Sequence, residues 1–98
     1  MGWADRAIQT LRQGQAVTIY PRGHSMRGRI ESGSAVHLAP VTASSHIEVG
    51  DVVLCVVRGR QYVHEVQAAR GARYLIGNRK GGVNGWVGRS AIFGMMVE

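Results

Sequence analysis

Ser25 and His64 are the pair whose residue types and settings could do covalent chemistry together. Ser25 lies in Pro21-Arg22-Gly23-His24-Ser25-Met26-Arg27-Gly28-Arg29-Ile30, directly after the β-like run Ala16-Val17-Thr18-Ile19-Tyr20. Pro21 cannot donate to a sheet ladder, and Gly23 and Gly28 permit backbone angles that other residues resist. A hydroxyl on such a turn stands clear of the sheet, where it can act as a nucleophile if a base takes its proton and donors meet the oxyanion. The chain offers four histidines as bases. His24 is adjacent to Ser25, so the two side chains diverge. His46 falls in a Thr- and Ser-containing loop that positions it poorly. His37 and His64 fall on strands, which hold a base more firmly than a loop does. Alternation in Tyr62-Val63-His64-Glu65-Val66 puts Tyr62, His64 and Val66 on one face and Glu65 on the other. Glu65 is thus a poor orienter for His64. Asn84, read as part of the loop after the next strand, can fold back to a ring nitrogen and hold the tautomer without adding charge. Lys80, the single lysine, is a second candidate base in a glycine-rich loop. No tight His/Cys/Asp/Glu cluster is present, so neither a metal nor another cofactor is expected.

These residues need elements to place them. The spacing of Trp3, Ala7, Ile8 and Leu11 predicts a short amphipathic helix over 3–13, stopped at Gly14 and too short to stand alone. From residue 16 to 97 the chain reads as β. Strands are predicted at Ala16–Tyr20 and at Ala35–Ala39, the latter ended by Pro40. One helical turn is expected over Met26–Glu31. Val52–Val57 is an unbroken apolar run, which implies burial on both faces. Arg58-Gly59-Arg60 reverses the chain, so Gln61–Ala68 returns antiparallel. Ala72–Ile76 is a further strand, Gly77–Gly85 a glycine-rich loop, and Ser90–Val97 a last strand.

The 98 residues, of which 45% are hydrophobic, imply one globular domain spanning 1–98. The formal charge is +6, with 12 basic residues against six acidic ones. The arginines are scattered, which reads as a solvated surface more than as a nucleic-acid stripe. With two Trp, three Tyr and one Phe, stacking platforms for bases are scarce. A nucleic-acid reading through Arg22, Arg27, Arg29, Arg58 and Arg60 therefore ranks last, and no obligate nucleic-acid partner is expected. Cys55 is the single cysteine, so no intrachain disulfide can form. No apolar stretch reaches membrane-helix length, and the first residues lack a signal-peptide layout. A soluble, cytoplasmic protein without a membrane anchor is the expectation.

Gly23-His24-Ser25-Met26 resembles the nucleophile turn of the LexA-type and signal-peptidase-type serine peptidases. In the same order, Ile47-Glu48-Val49-Gly50-Asp51-Val52-Val53 resembles the entry to that family's central strand. Tyr62-Val63-His64-Glu65-Val66 resembles the segment carrying its base. Ile76-Gly77-Asn78 and Ala91-Ile92-Phe93-Gly94 resemble its closing strands. The resemblance covers about Val17 to Val97. It implies a mainly β fold: a small coiled antiparallel sheet, or partly open barrel, with the short helix in front. His64 stands where the bacterial members carry a lysine, so the chain resembles the serine–histidine branch. That branch implies Ser25 as nucleophile and His64 as general base, acting on a peptide or protein substrate. Gly23, His24 and Met26 are the expected oxyanion and substrate-binding positions.

Departures from the pattern accompany the resemblance. Gly28 stands where many members have proline, Gly33-Ser34 where they show Gly-Asp, and Gly77-Asn78-Arg79-Lys80 where the histidine branch has an aspartate. Asn84 is the nearest substitute, so a charged third member is missing. A catalytically degenerate peptide- or protein-binding module on the same fold is the alternative reading.

Overall fold

The structure is a computed structural model and describes residues 2–97. The outermost residue at each end of the expected 1–98 domain lies outside the described residues. The chain forms a helix α1 (Asp5–Arg12) and seven strands: β1 (Val17–Ile19), β2 (Val36–Pro40), β3 (Val52–Val57), β4 (Arg60–Arg70), β5 (Arg73–Gly77), β6 (Val83–Gly88) and β7 (Ile92–Val97). A single 3-10 turn, Arg89–Ala91, joins β6 to β7. All seven strands lie in one antiparallel sheet of order β1-β2-β7-β3-β4-β5-β6, open at β1 and β6. The fold is therefore mainly β, with a short helix at its front.

β3 explains the architecture. Its β-branched run favours a strand, and its side chains alternate between two apolar cores. Val52 and Leu54 join Leu38, Val63 and the helix residues Ala7, Ile8 and Leu11. Val53, Cys55 and Val57 join Val66, Tyr74, Ile76, Val87 and Ile92 on the opposite face. Burial on both faces is what the unbroken apolar run implied.

The helix is shorter than the expected 3–13. Trp3 lies before it and is exposed, and Ala4 takes the buried place at its start. Gln61 of β4 anchors this end: its Oε1 accepts from the Ala4 N–H at 2.7 Å, and its amide donates to Asp5. Further along, α1 presses on β7 at Gly94, where a Cβ would come within 2.8 Å of a Leu11 methyl. A side chain there would push the helix off the sheet.

Three expectations are corrected. Met26–Glu31 is a turn and not a helical turn; its one i→i+4 bond, Ile30 N–H to Met26 C=O at 2.8 Å, is not propagated. Pro40 does not follow β2 but is its last residue, paired with Gly94. The expected Gly77–Gly85 loop is half strand, because Val83–Gly88 pairs with β5. Glycines weaken the local strand signal of Val83-Asn84-Gly85-Trp86-Val87-Gly88, and the ladder to β5 overrides it.

Candidate active site

Ser25 and His64 meet across 39 positions of chain. Ser25 Oγ lies 3.1 Å from His64 Nε2, and His64 Nδ1 lies 2.7 Å from Asn84 Oδ1. An amide oxygen only accepts, so Nδ1 carries the proton and donates to Asn84. Nε2 is left with its lone pair toward the Ser25 hydroxyl, the tautomer a general base requires. His64 is 7% exposed and is the buried polar residue of the described core. Burial holds its pKa below the ordinary 6.5, and the Asn84 hydrogen bond pulls in the opposite direction. Tyr62 stacks on the imidazole with ring centroids 4.9 Å apart, limiting its rotation.

Each member of this chain of contacts has a local cause. The Ser25 turn is made by Gly23 and Gly28, whose φ values of 118° and 98° suit glycine. The Gly33 N–H closes the loop onto Pro21 C=O at 2.8 Å. His64 is fixed by the continuous β3–β4 ladder, opposite Val53. Asn84 owes its direction to a β-bulge. Ile76 pairs with Gly85 and Gly77 with Val83, which leaves Asn84 as the extra residue between them. Bulged residues bend a strand and re-aim a side chain. Asn84 thus lies on β6 and not in a loop as the sequence suggested.

A second network locks the turn to β4. Arg29 Nη1 lies 3.0 Å from Glu65 Oε2 and also donates to Gly50 C=O. Arg79 Nη1 approaches the same carboxylate at 3.5 Å, while its backbone N–H donates to Ser25 C=O at 2.9 Å. Glu65 faces away from His64, as alternation required, and ties three segments together behind it. Gln67 is the bulged residue of the β4–β5 pair; its amide covers Gly77 and donates to Asn78 C=O at 3.1 Å. Arg79 and Gln67 were not singled out as site residues, and Arg29 was named only in the nucleic-acid reading. Glu65 sitting one residue from His64 with two arginine-bearing turns to pair with was the available signal.

The remaining expected site residues fall as follows. Gly23 lines the groove, but its N–H donates to Ser32 Oγ at 3.0 Å and is not open to an oxyanion. His24 is exposed at the turn. Met26 is buried in the first core and forms part of the groove floor beside Ser25. The backbone N–H groups of His24, Ser25 and Met26 have no acceptor among the described residues. His37 pairs with Thr18 Oγ1 at 2.8 Å and His46 with Glu48 at 3.1 Å, both at the surface. Lys80 is exposed in the 78–82 turn. No group of three or more His, Cys, Asp or Glu that could hold a metal occurs among the described residues. No helix among them is long and apolar enough to cross a membrane.

Ser25 and His64 open onto a groove of about 610 Å³. One wall is an unpaired stretch of β4. Val66 exchanges backbone bonds with Gly50 and Asp51 at 2.8 and 2.9 Å, so even-numbered residues of β4 address β3. Odd-numbered ones address the other side, where β5 pairs only from Glu65 onward. The N–H and C=O of Val63 therefore point along the groove with no partner among the described residues. No protein-family model matches the chain, and no curated protein matches it in sequence.

Proposed function

We propose that this chain is a small serine peptidase that hydrolyses a peptide bond with a Ser25–His64 pair. The observation that carries the reading is the relay itself: Oγ to Nε2 at 3.1 Å, with the other ring nitrogen held by Asn84 at 2.7 Å. Ser25 Oγ attacks the scissile carbonyl carbon while Nε2 takes the hydroxyl proton. The resulting tetrahedral oxyanion is met by the unengaged Ser25 N–H. The imidazolium returns the proton to the departing amine, leaving an acyl-serine. Water then attacks the acyl carbon while giving a proton to Nε2; the acyl–Oγ bond breaks, the imidazolium returns that proton to Ser25 Oγ, and the acid is released. An extended substrate adds to the open edge of β4, exchanging backbone bonds with Val63. The ordered resemblance to the LexA-type and signal-peptidase-type peptidases supports the same assignment of roles to Ser25 and His64.

One observation favours the binding-module alternative. Asn84 is neutral, so the imidazolium formed in the reaction gains less stabilisation than a carboxylate would give it. Labelling with a fluorophosphonate probe, read by mass spectrometry, separates the readings. Wild-type protein labelled on Ser25, with labelling slowed about 10²–10⁴-fold in His64→Ala, is the peptidase outcome. Ser25 no more reactive than in His64→Ala, together with peptide binding that survives Ser25→Ala, is the module outcome.

A further inference from the structure

The groove beside Ser25 carries more exposed aromatic surface than a peptide backbone needs. Trp3 is 57% exposed and Tyr20 is 64% exposed, and both line it. Large apolar side chains left open at one place on a small protein mark a contact surface. The Trp3 indole N–H reaches Gln61 C=O at 3.4 Å, on the same open edge of β4 that presents Val63. Tyr20 follows β1, the edge strand of the sheet, and is succeeded by the rigid Pro21. Met26 and Ile30, buried in the first core, line the same groove.

Charge narrows the occupant further. Among the described residues lining the groove none is acidic, and Arg22 stands exposed at its rim. The whole chain carries +6. A cationic peptide meets repulsion here, whereas a carboxylate near the bound side chain has a partner.

We propose that Trp3 and Tyr20 form a specificity clamp that selects an extended peptide with a large apolar side chain and a neighbouring carboxylate next to the scissile bond. This rests on the peptidase reading for the words "scissile bond", but the selectivity is a binding property and can be read without turnover. A peptide strand added beside Val63 turns alternate side chains into the groove. One of them enters between the two rings and covers apolar surface that is otherwise wet. An alanine at that place leaves the rings uncovered.

The test uses Ser25→Ala, which binds without reacting, in a Trp86→Phe background so that Trp3 is the remaining indole. Peptides differ at one position, carrying Phe, Leu, Ala or Lys, each with and without an adjacent Glu. Trp3 emission should respond to the Phe and Leu peptides, with Kd about tenfold tighter than for Ala. The Glu should add salt-sensitive affinity that Arg22→Ala removes. Tyr20→Ala should weaken the Phe peptide about tenfold and the Ala peptide less than about twofold. Trp3→Ala, followed by calorimetry, should do the same. Equal affinity for Phe and Ala, tighter binding of Lys, or no binding up to about 1 mM overturns the proposal. Fluorophosphonate labelling of wild-type Ser25 runs alongside. Selective binding without labelling keeps the clamp and removes the peptidase; labelling without selectivity does the reverse.

Discussion

At the residue scale the proposed chemistry rests on one buried imidazole. His64 has to be neutral to accept the Ser25 proton, and burial favours that neutral form. Its pKa lies below the ordinary 6.5. The acid limb of Ser25 labelling should accordingly have its midpoint below pH 6.5, with the reagent in excess and the fold intact. An NMR titration of the His64 ring should give the same midpoint, and a value above 6.5 in both would contradict the burial argument. The same shift enters stability with a definite sign. The unfolded chain binds a proton at His64 more readily than the native one, so stability rises with pH between the folded value and 6.5, and acidification through that window destabilises. Asn84 pulls the other way, and its replacement separates two roles. Asn84→Ala removes the bond that raises the pKa and the contact that fixes the ring, so the midpoint should fall further and labelling slow by about tenfold or more. Asn84→Asp puts a charge beside Nδ1, so the midpoint should move up and labelling at neutral pH should quicken. If Asn84→Asp leaves both unchanged, Asn84 does not orient His64. Ser25 and His64 were legible as a pair because a hydroxyl on a glycine turn and a base on a rigid strand each leave a local trace. Asn84 was legible as a residue but misplaced as an element, since a bulge is a property of two strands and not of one.

The element scale explains why Ser25 and His64 stay within reach. They belong to a turn and a strand that share no ladder. Glu65 joins them from behind, taking Arg29 from the turn and Arg79 from the 78–82 turn, whose own N–H holds Ser25 C=O. The Glu65 side chain is 15% exposed, so the pair is screened less than a surface bridge and its geometry is held. A displacement of the turn by about 1 Å is enough to cost a large factor in rate. Glu65→Gln should therefore slow Ser25 labelling about tenfold, and Arg29→Ala by a similar factor. Glu65 does not line the groove, so peptide affinity in a Ser25→Ala background should hold within about twofold. A parallel fall in affinity and labelling would mean the network is general scaffolding and not a positioning device. β3, β4 and their reversal were readable because the run is apolar, the turn is glycine-bearing and the alternation is clean. β6 was not, because Asn84, Gly85 and Gly88 interrupt its Val and Trp residues, and it pairs only once β5 offers an edge. Gln61 and Gln67 were invisible for a related reason: their work is to satisfy backbone groups brought near by the fold, which no local pattern announces.

At the scale of the whole molecule, one strand is shared by two cores, so site and stability are linked through β3. Val53, Leu54 and Cys55 are each 0% exposed, and Val53 is the ladder partner of His64. Leu54 faces the helix-side core, and Leu54→Ala removes buried methyl groups there at a cost of about 2–5 kcal/mol. Cys55 faces the other core, where burial pushes its thiol up to about 12. At neutral pH it is a thiol enclosed by apolar side chains, so alkylating reagents reach it only when the sheet opens. This makes the native cysteine a reporter of global opening in a chain with no other thiol. Under conditions where closing outpaces alkylation, the labelling rate follows the open population. Leu54→Ala should then label about 30-fold to several-thousand-fold faster than wild type, the factor that 2–5 kcal/mol implies. The same destabilisation measured by urea should agree with it. A Cys55 that reacts quickly in the wild type, or a rate indifferent to Leu54→Ala, would mean that β3 opens locally. The two cores would then be independent units, and the His64 ladder would be held by one of them alone.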